Sequence, residues 1–406
     1  MMSNKVFILR SSDGKPLKLD TAADIGPRIA SLKGNEAVEE IRLSGHTFGT
    51  EACKALAEVL KTNKNLKVFN AADIFTGRLI SEIPDALAAL LTALLTLEHL
   101  HTVDLSDNAF GGRLADTLRD FYARAGPLRH LLLNNNGLGP AGGIIVANSI
   151  RDLATLKASS TAYPPLETIV CGRNRLENGS MEAWAEAYAA HGSLKTVKMV
   201  QNGIRQEGIN TLLRSGLSKN HGLQTLDLQD NTFTVIGAQA LAVVVTNWSD
   251  LLELGVGDCL LSARGGVLLG EALAQEKNKA LKTIRLQYNE IDVKGVEAIK
   301  RAINHALPKL QRLELNGNRF SEEELVVEQM REIFEDRGFG QLDSLSDMEE
   351  TDEEDEGDED EGEGEGEYEK EDIVKQAEEA ENAQVPQEKD KKVDALADLL
   401  GGTKIA

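Results

Sequence analysis

Residues 128–138 read Leu-Arg-His-Leu-Leu-Leu-Asn-Asn-Asn-Gly-Leu. Leu128, Leu131 and Leu133 set an LxxLxL frame, Asn136 follows three residues later, and Leu138 closes it. The same frame stands at Leu100, Val103, Leu105, Asn108 and Phe110, and opens again at Leu166, Leu194, Leu223, Leu251, Leu281 and Leu310. Val38 and Leu66 open two degenerate copies. The starts are separated by 28, 34, 28, 38, 28, 29, 28, 30 and 29 residues, so ten units share one period of about 28 with two insertions.

A unit of that length cannot bury its own apolar edge, and stacking on its neighbours supplies the core. Each unit reads as a short strand with inward apolar residues, an Asn turn and an amphipathic helix; residues 51–62, 183–191 and 237–248 have the Ala/Leu content and spacing of such helices. The expected fold is α/β: a leucine-rich-repeat solenoid, a crescent with parallel strands inside and helices outside. Asn108, Asn136, Asn174, Asn202, Asn231, Asn289 and Asn318 share one pattern position, where an inward amide satisfies backbone groups of the adjoining turn. Cys259 takes that position once, and Cys171 is expected to point inward as well.

Residues 1–37 are expected to cap the solenoid's first end, and 38–340 to form the repeats with a second cap from about 320. The net charge of −22 belongs to the end of the chain: residues 341–406 hold 26 acids against 6 lysines, leaving 40 acids and 38 bases elsewhere. Such a stretch has too little apolar surface to offset its ordering entropy, so 341–406 is expected to be a disordered acidic tail, with 393–402 a candidate docking turn.

Three scattered cysteines without a CxxC or Cys/His cluster argue against a disulfide framework and against a zinc site. No long apolar run is present, so a soluble intracellular protein is expected, with no membrane partner. No phosphate-binding Gly-rich loop, HExxH pair, GxSxG elbow or Cys/His pair appears, which leaves no cofactor, no metal and no enzyme with its own pocket in prospect. Outward strand positions alternate in sign, Arg42, Asp104, Lys198, Asp227, Arg285, Glu314, and nucleic acid would ask for a basic face. A protein partner is the expectation, with the chain itself a monomer.

Extra residues on a solenoid map to loops and often to the binding face. The first insertion contains DIFTGR, residues 73–78; the second contains SSTAYPP, residues 159–165. Between them Asn136 fills the ladder, Asn134 is expected on the concave side, and Asn135 has no duty under the pattern. The functional edge is expected in repeats two to five.

DIFTGR, LSDNAFG (105–111), NNGLGP (135–140), CGRNRLENGSM (171–181), TVKMVQNGIR (196–205), LDLQDNTFT (226–234), DCLLSARG (258–265), LKTIRLQYNEI (281–291) and LELNGNRFSEEE (313–324) together resemble the RanGAP family, the GTPase-activating proteins of Ran. The resemblance runs from about residue 38 to 340 and continues into an acidic tail of the expected kind. It implies a cytoplasmic activator serving nucleocytoplasmic transport, which binds Ran in its GTP form, alone or with a Ran-binding protein, while GTP and Mg²⁺ stay with Ran.

General reasoning about GTPase activation favours an arginine finger, and Arg78 is the first choice by that logic. The resemblance points instead to Asn135, holding Ran's catalytic glutamine where it positions the attacking water. Arg78 then supports, paired with Asp73 or with an acidic group of Ran; Asp73, Asp107, Asn134, Arg173, Lys198 and Gln201 are the expected partner contacts. An activator supplies about 10⁵-fold, roughly 7 kcal/mol, and one positioned polar group about 3 kcal/mol, so docking must contribute the rest. Fission-yeast-like members carry a basic residue where this chain has Ile80, so no contact of that position carries over. The extra folded C-terminal domain of animal members is not expected here, nor is tethering through it. The rival expectation is an acidic leucine-rich scaffold for basic proteins such as histones, working through the tail.

Overall fold

The computed structural model describes residues 5–348. The acidic run beyond them, and the docking turn expected at 393–402, lie outside the described residues.

Twelve strands form one sheet in chain order, each pair parallel and in matching register: Thr102 opposite His130, His130 opposite Thr168, Thr168 opposite Thr196. Each strand is three residues long or shorter, and in the ten between the two end strands the middle residue is buried, as in Phe69, Val103, Leu131, Ile169 and Val197. The helices pack side by side against this buried face, with neighbours in sequence in contact. The core therefore runs continuously between sheet and helices, filled by leucines of the repeat frame and by Trp184, Tyr188 and Trp248.

The asparagine column works as the pattern implies. Asn174 is fully buried; its Nδ2 donates to the Leu133 and Gly172 carbonyls at 2.8 and 2.9 Å, and its Oδ1 accepts from the Asn136 N–H at 3.0 Å. Asn202 accepts from Asn174 N–H in turn, and Asn231 from Asn202. At Cys259 the column changes chemistry: the thiol reaches the Leu228 carbonyl at 3.5 Å, and burial pushes Cys171 and Cys53 thiols up to about 12. None of the three cysteines is in a disulfide. A second set of buried asparagines, unexpected from the frame, closes the opposite turns between helix and strand. Asn63 donates to Leu32 and Asn35 carbonyls, Asn220 to Tyr188, and Asn278 to Val245 and Trp248.

Both ends are built as units of the repeat. Val6–Ile8 pairs with Glu40–Arg42, and the helix Ala22–Ile29 starts in a capping box of Thr21 and Asp24. At the other end Gln341–Leu342 pairs with Arg312–Glu314, Asp343 binds Arg312 at 2.7 Å, and Leu345 is buried. The expected boundary at 340 is therefore too early: 341–346 belong to the folded body, because their apolar residues fit the sheet although the charge run begins right behind them.

His191 closes the helix Met181–His191 and donates Nε2–H to the Ile150 carbonyl at 2.9 Å. Burial pushes this imidazole down to about 4, against about 6.5 in the unfolded chain. Between those values the unfolded state binds the extra proton, so the contribution is whole above pH 6.5 and is lost as pH falls toward 4. Comparing denaturant midpoints at pH 7 and pH 4.5, His191→Gln should remove a pH-dependent loss of about 2–3 kcal/mol that the parent chain shows. An equal loss in both proteins would assign the acid sensitivity elsewhere.

Candidate partner-binding edge

Every turn from strand to helix in the middle of the sheet carries a left-handed residue just ahead of the ladder position: Asp73, Asp107, Asn135, Arg173, Gln201, Asp230, Asp258 and Tyr288, with φ between 50° and 61°. The cause is the ladder itself. The N–H of each of these residues must turn to a carbonyl of the next unit, as Asp107 does to Asn134 and Asn135 to Gly172 at 2.9 and 2.8 Å. Asn and Asp tolerate this conformation well, while Arg173 and Gln201 accept it at a cost of about 1 kcal/mol each. The left-handed backbone of Asn135 is therefore shared by the whole column and is no mark of function.

That column brings five of the residues named from sequence onto one edge. With parallel strands about 4.8 Å apart, Asp73 to Gln201 spans roughly 20 Å. Asp107, Asn135, Arg173 and Gln201 are exposed and Asp73 is partly so. Asn135 donates Nδ2–H to the Asp107 carboxylate at 2.9 Å. Among the described residues no donor is placed on its Oδ1. Asn134 lies one step toward the sheet's open face and is half-buried, with its Oδ1 resting over Gly172; a Cβ there would stand 2.6 Å from that oxygen and 2.8 Å from the Val200 carbonyl. Lys198, on the strand Thr196–Lys198, shares that open face. Further along the column Asp230 is raised above the usual carboxylate range by burial and by its hydrogen bond with Asp258.

Arg78 is placed differently from expectation. Its side chain is 6% exposed, with the guanidinium bound to Asp20. It also donates to the Thr47 hydroxyl and carbonyl, both at 2.9 Å, and to the Leu19 carbonyl at 3.3 Å. The pairing expected with Asp73 does not form: Asp73 accepts instead from the Thr76 hydroxyl. Arg78 thus ties the first insertion to the N-terminal unit, leaving Leu79 and Ile80 exposed at the loop tip. Arg78→Ala is expected to destabilise this end by about 2 kcal/mol, the worth of a charge-assisted network. Hydrogen exchange would show the loss confined to residues near 19, 47 and 78; an unchanged exchange pattern with a crippled activity would return the arginine to a direct role.

The second insertion is also elsewhere than expected. Much of it lengthens the helix Gly139–Ala158, and SSTAYPP follows that helix into the next strand, on the edge opposite Asn135. Lys157 fixes it there, donating to the Gly126, Leu128 and Pro164 carbonyls at 2.6–2.7 Å, and Tyr163 packs on Gly126. Burial pushes Lys157 down to about 8.

Among the described residues no helix is long and apolar enough to cross a membrane, and no group of three or more His, Cys, Asp or Glu is placed to hold a metal ion. The parallel sheet, its helix layer and the asparagine column define a leucine-rich-repeat protein, and a family model described as Leucine Rich repeat matches residues 219–242 and 277–300. Ran GTPase-activating protein 1 of Saccharomyces cerevisiae is 40% identical over 337 residues, 80% of this chain and 82% of that protein. The Ran GTPase-activating protein of Drosophila melanogaster is 34% identical over 331 residues, 80% of this chain and 54% of its own length. Ran GTPase-activating protein 1 of Xenopus laevis is 43% identical over 201 residues, 48% of this chain and 34% of its own. The chain belongs to the Ran GTPase-activating protein family.

Proposed function

We propose that this chain accelerates GTP hydrolysis by Ran, acting in trans from the edge that carries Asn135. Family membership supports the activity, and the exposed, unshared Oδ1 of Asn135 supports the place. A GTPase holds its nucleotide and Mg²⁺ itself, so the activator needs to supply only orientation and charge at the transferring phosphoryl group. Arg78, bound to Asp20 and Thr47, is not free to supply that charge. Asn135 supplies orientation, holding the partner's water-positioning glutamine. Asp73, Asn134, Arg173, Lys198 and Gln201 contact the GTP form of Ran around it, with or without a Ran-binding protein. The chain acts as a monomer in the cytoplasm, with no cofactor of its own.

Single-turnover hydrolysis of GTP preloaded on Ran, with catalytic amounts of the full chain, is the test. Acceleration approaching 10⁵-fold is expected at saturation. A rate indistinguishable from that of Ran alone would leave a leucine-rich-repeat binding protein without this activity.

A further inference from the structure

Asn135 has two faces, a donor and an acceptor, and only one of them is useful at a time. What decides between them is Asp107, one unit earlier in the column and 2.9 Å from Asn135 Nδ2. A carboxylate accepts and cannot donate, so the amide with its oxygen turned toward Asp107 would set like partial charges together. The geometry points to Asp107 as the positioning residue that locks Asn135 with its Oδ1 outward, making the site an acceptor for the N–H of a primary amide on the partner. This rests on the function proposed above and names the chemistry of that same contact.

The consequence for hydrolysis is directional. When the partner's glutamine donates its Nε2–H to Asn135 Oδ1, its own carbonyl oxygen is left to accept from the attacking water. The reverse amide orientation would occupy that oxygen and leave an N–H group facing the water. Asp107 is itself fixed: its N–H bonds the Asn134 carbonyl at 2.9 Å, and Asn108 beside it is anchored in the buried ladder. The backbone that carries the carboxylate is therefore held by the ladder, and one hydrogen bond orients the amide before the partner arrives.

The full chain and its Asp107→Ala and Asp107→Asn variants are compared in single-turnover assays at saturating activator. The expected result is a fall of about ten-fold in the saturated rate, the worth of one charge-assisted hydrogen bond. Half-saturating concentration, binding to Ran loaded with a non-hydrolysable GTP analogue, and thermal midpoint should stay unchanged. A loss confined to binding would make Asp107 a plain contact and overturn the proposal, as would an unchanged rate. Combining Asp107→Asn with Asn135→Asp puts the donor on position 107 and keeps an acceptor outward on 135, so the pair should be faster than Asn135→Asp alone. Failure to recover would also overturn it. In the free protein, NMR should find the Asn135 side-chain amide protons shifted and slowed in exchange by their bond to the Asp107 carboxylate, and both signatures lost in Asp107→Ala. That signal needs no GTPase: its absence sinks the positioning role, while its presence with an inactive parent chain sinks only the function.

Discussion

Asn135→Ala is expected to lower the saturated rate of Ran GTP hydrolysis by about 10²-fold, roughly 3 kcal/mol of transition-state stabilisation. The side chain is exposed and, among the described residues, its single hydrogen bond goes to Asp107, so its removal leaves the ladder and the core as they are. Thermal stability should therefore change by less than about 0.5 kcal/mol. Removal also leaves most of the proposed docking surface in place, because Asp73, Arg173 and Gln201 keep their own positions on the edge. The loss should consequently fall on the rate at saturation and leave the half-saturating concentration within a few-fold of the parent. Rate constants for parent, Asn135→Ala and Arg78→Ala, measured across a range of activator concentration, separate the two candidates. A saturated rate that survives Asn135→Ala would remove this residue from the chemistry. A remaining acceleration of about 10³-fold is expected even so, because ordering of the GTPase by docking is independent of this one amide.

The repeat, its period and its buried column were legible because each answers to a local rule that recurs every 28 or 29 residues, as Asn174, Asn202 and Asn231 do. The contact from Asp107 to Asn135 is also spaced by one unit and becomes visible once the turns are set in columns. Arg78 was not legible in this way. Its partner Asp20 lies 58 residues back in the N-terminal unit, where the frame is too degenerate to align. The second insertion misled for a different reason: sequence gives its length, while helix extension over Gly139–Ala158 decides which edge receives the remainder. The end of the folded body was hidden by the charges that begin behind it, although Leu342 and Leu345 carry the apolar signal of one more strand. Asn63, Asn220 and Asn278 each stand three residues before the leucine that opens the next unit, Leu66, Leu223 and Leu281, and escaped notice because most units carry another residue there, such as Leu97, Ala125, Trp248 or Leu307.

Asn174→Ala should cost more stability than any other single change considered, roughly 5 kcal/mol. Its amide is wholly buried and serves two units at once: Nδ2 satisfies carbonyls of Leu133 and Gly172, while Oδ1 takes the N–H of Asn136. Truncation leaves the Leu133 carbonyl and the Asn136 N–H without a partner in a space closed to water, each at about 1–3 kcal/mol, while the Gly172 carbonyl keeps only the Asn135 N–H. The damage sits beneath the functional edge, because Asn136 follows Asn135 directly and Gly172, whose carbonyl receives the Asn135 N–H at 2.8 Å, loses the donor from the same amide. Two effects should therefore appear together: a lower denaturant midpoint for the repeats around it, and a fall in activation at temperatures where the protein is still folded. Asn289→Ala offers the control, since it removes an equivalent buried amide, bonded to Val256, Leu286 and Cys259 backbone groups, far along the ladder from Asn135. It should match the loss of stability and spare the activity. Equal loss of activity in both would mean that the solenoid transmits damage along its whole length, and the separation of a stabilising ladder from a local functional edge would have to be given up.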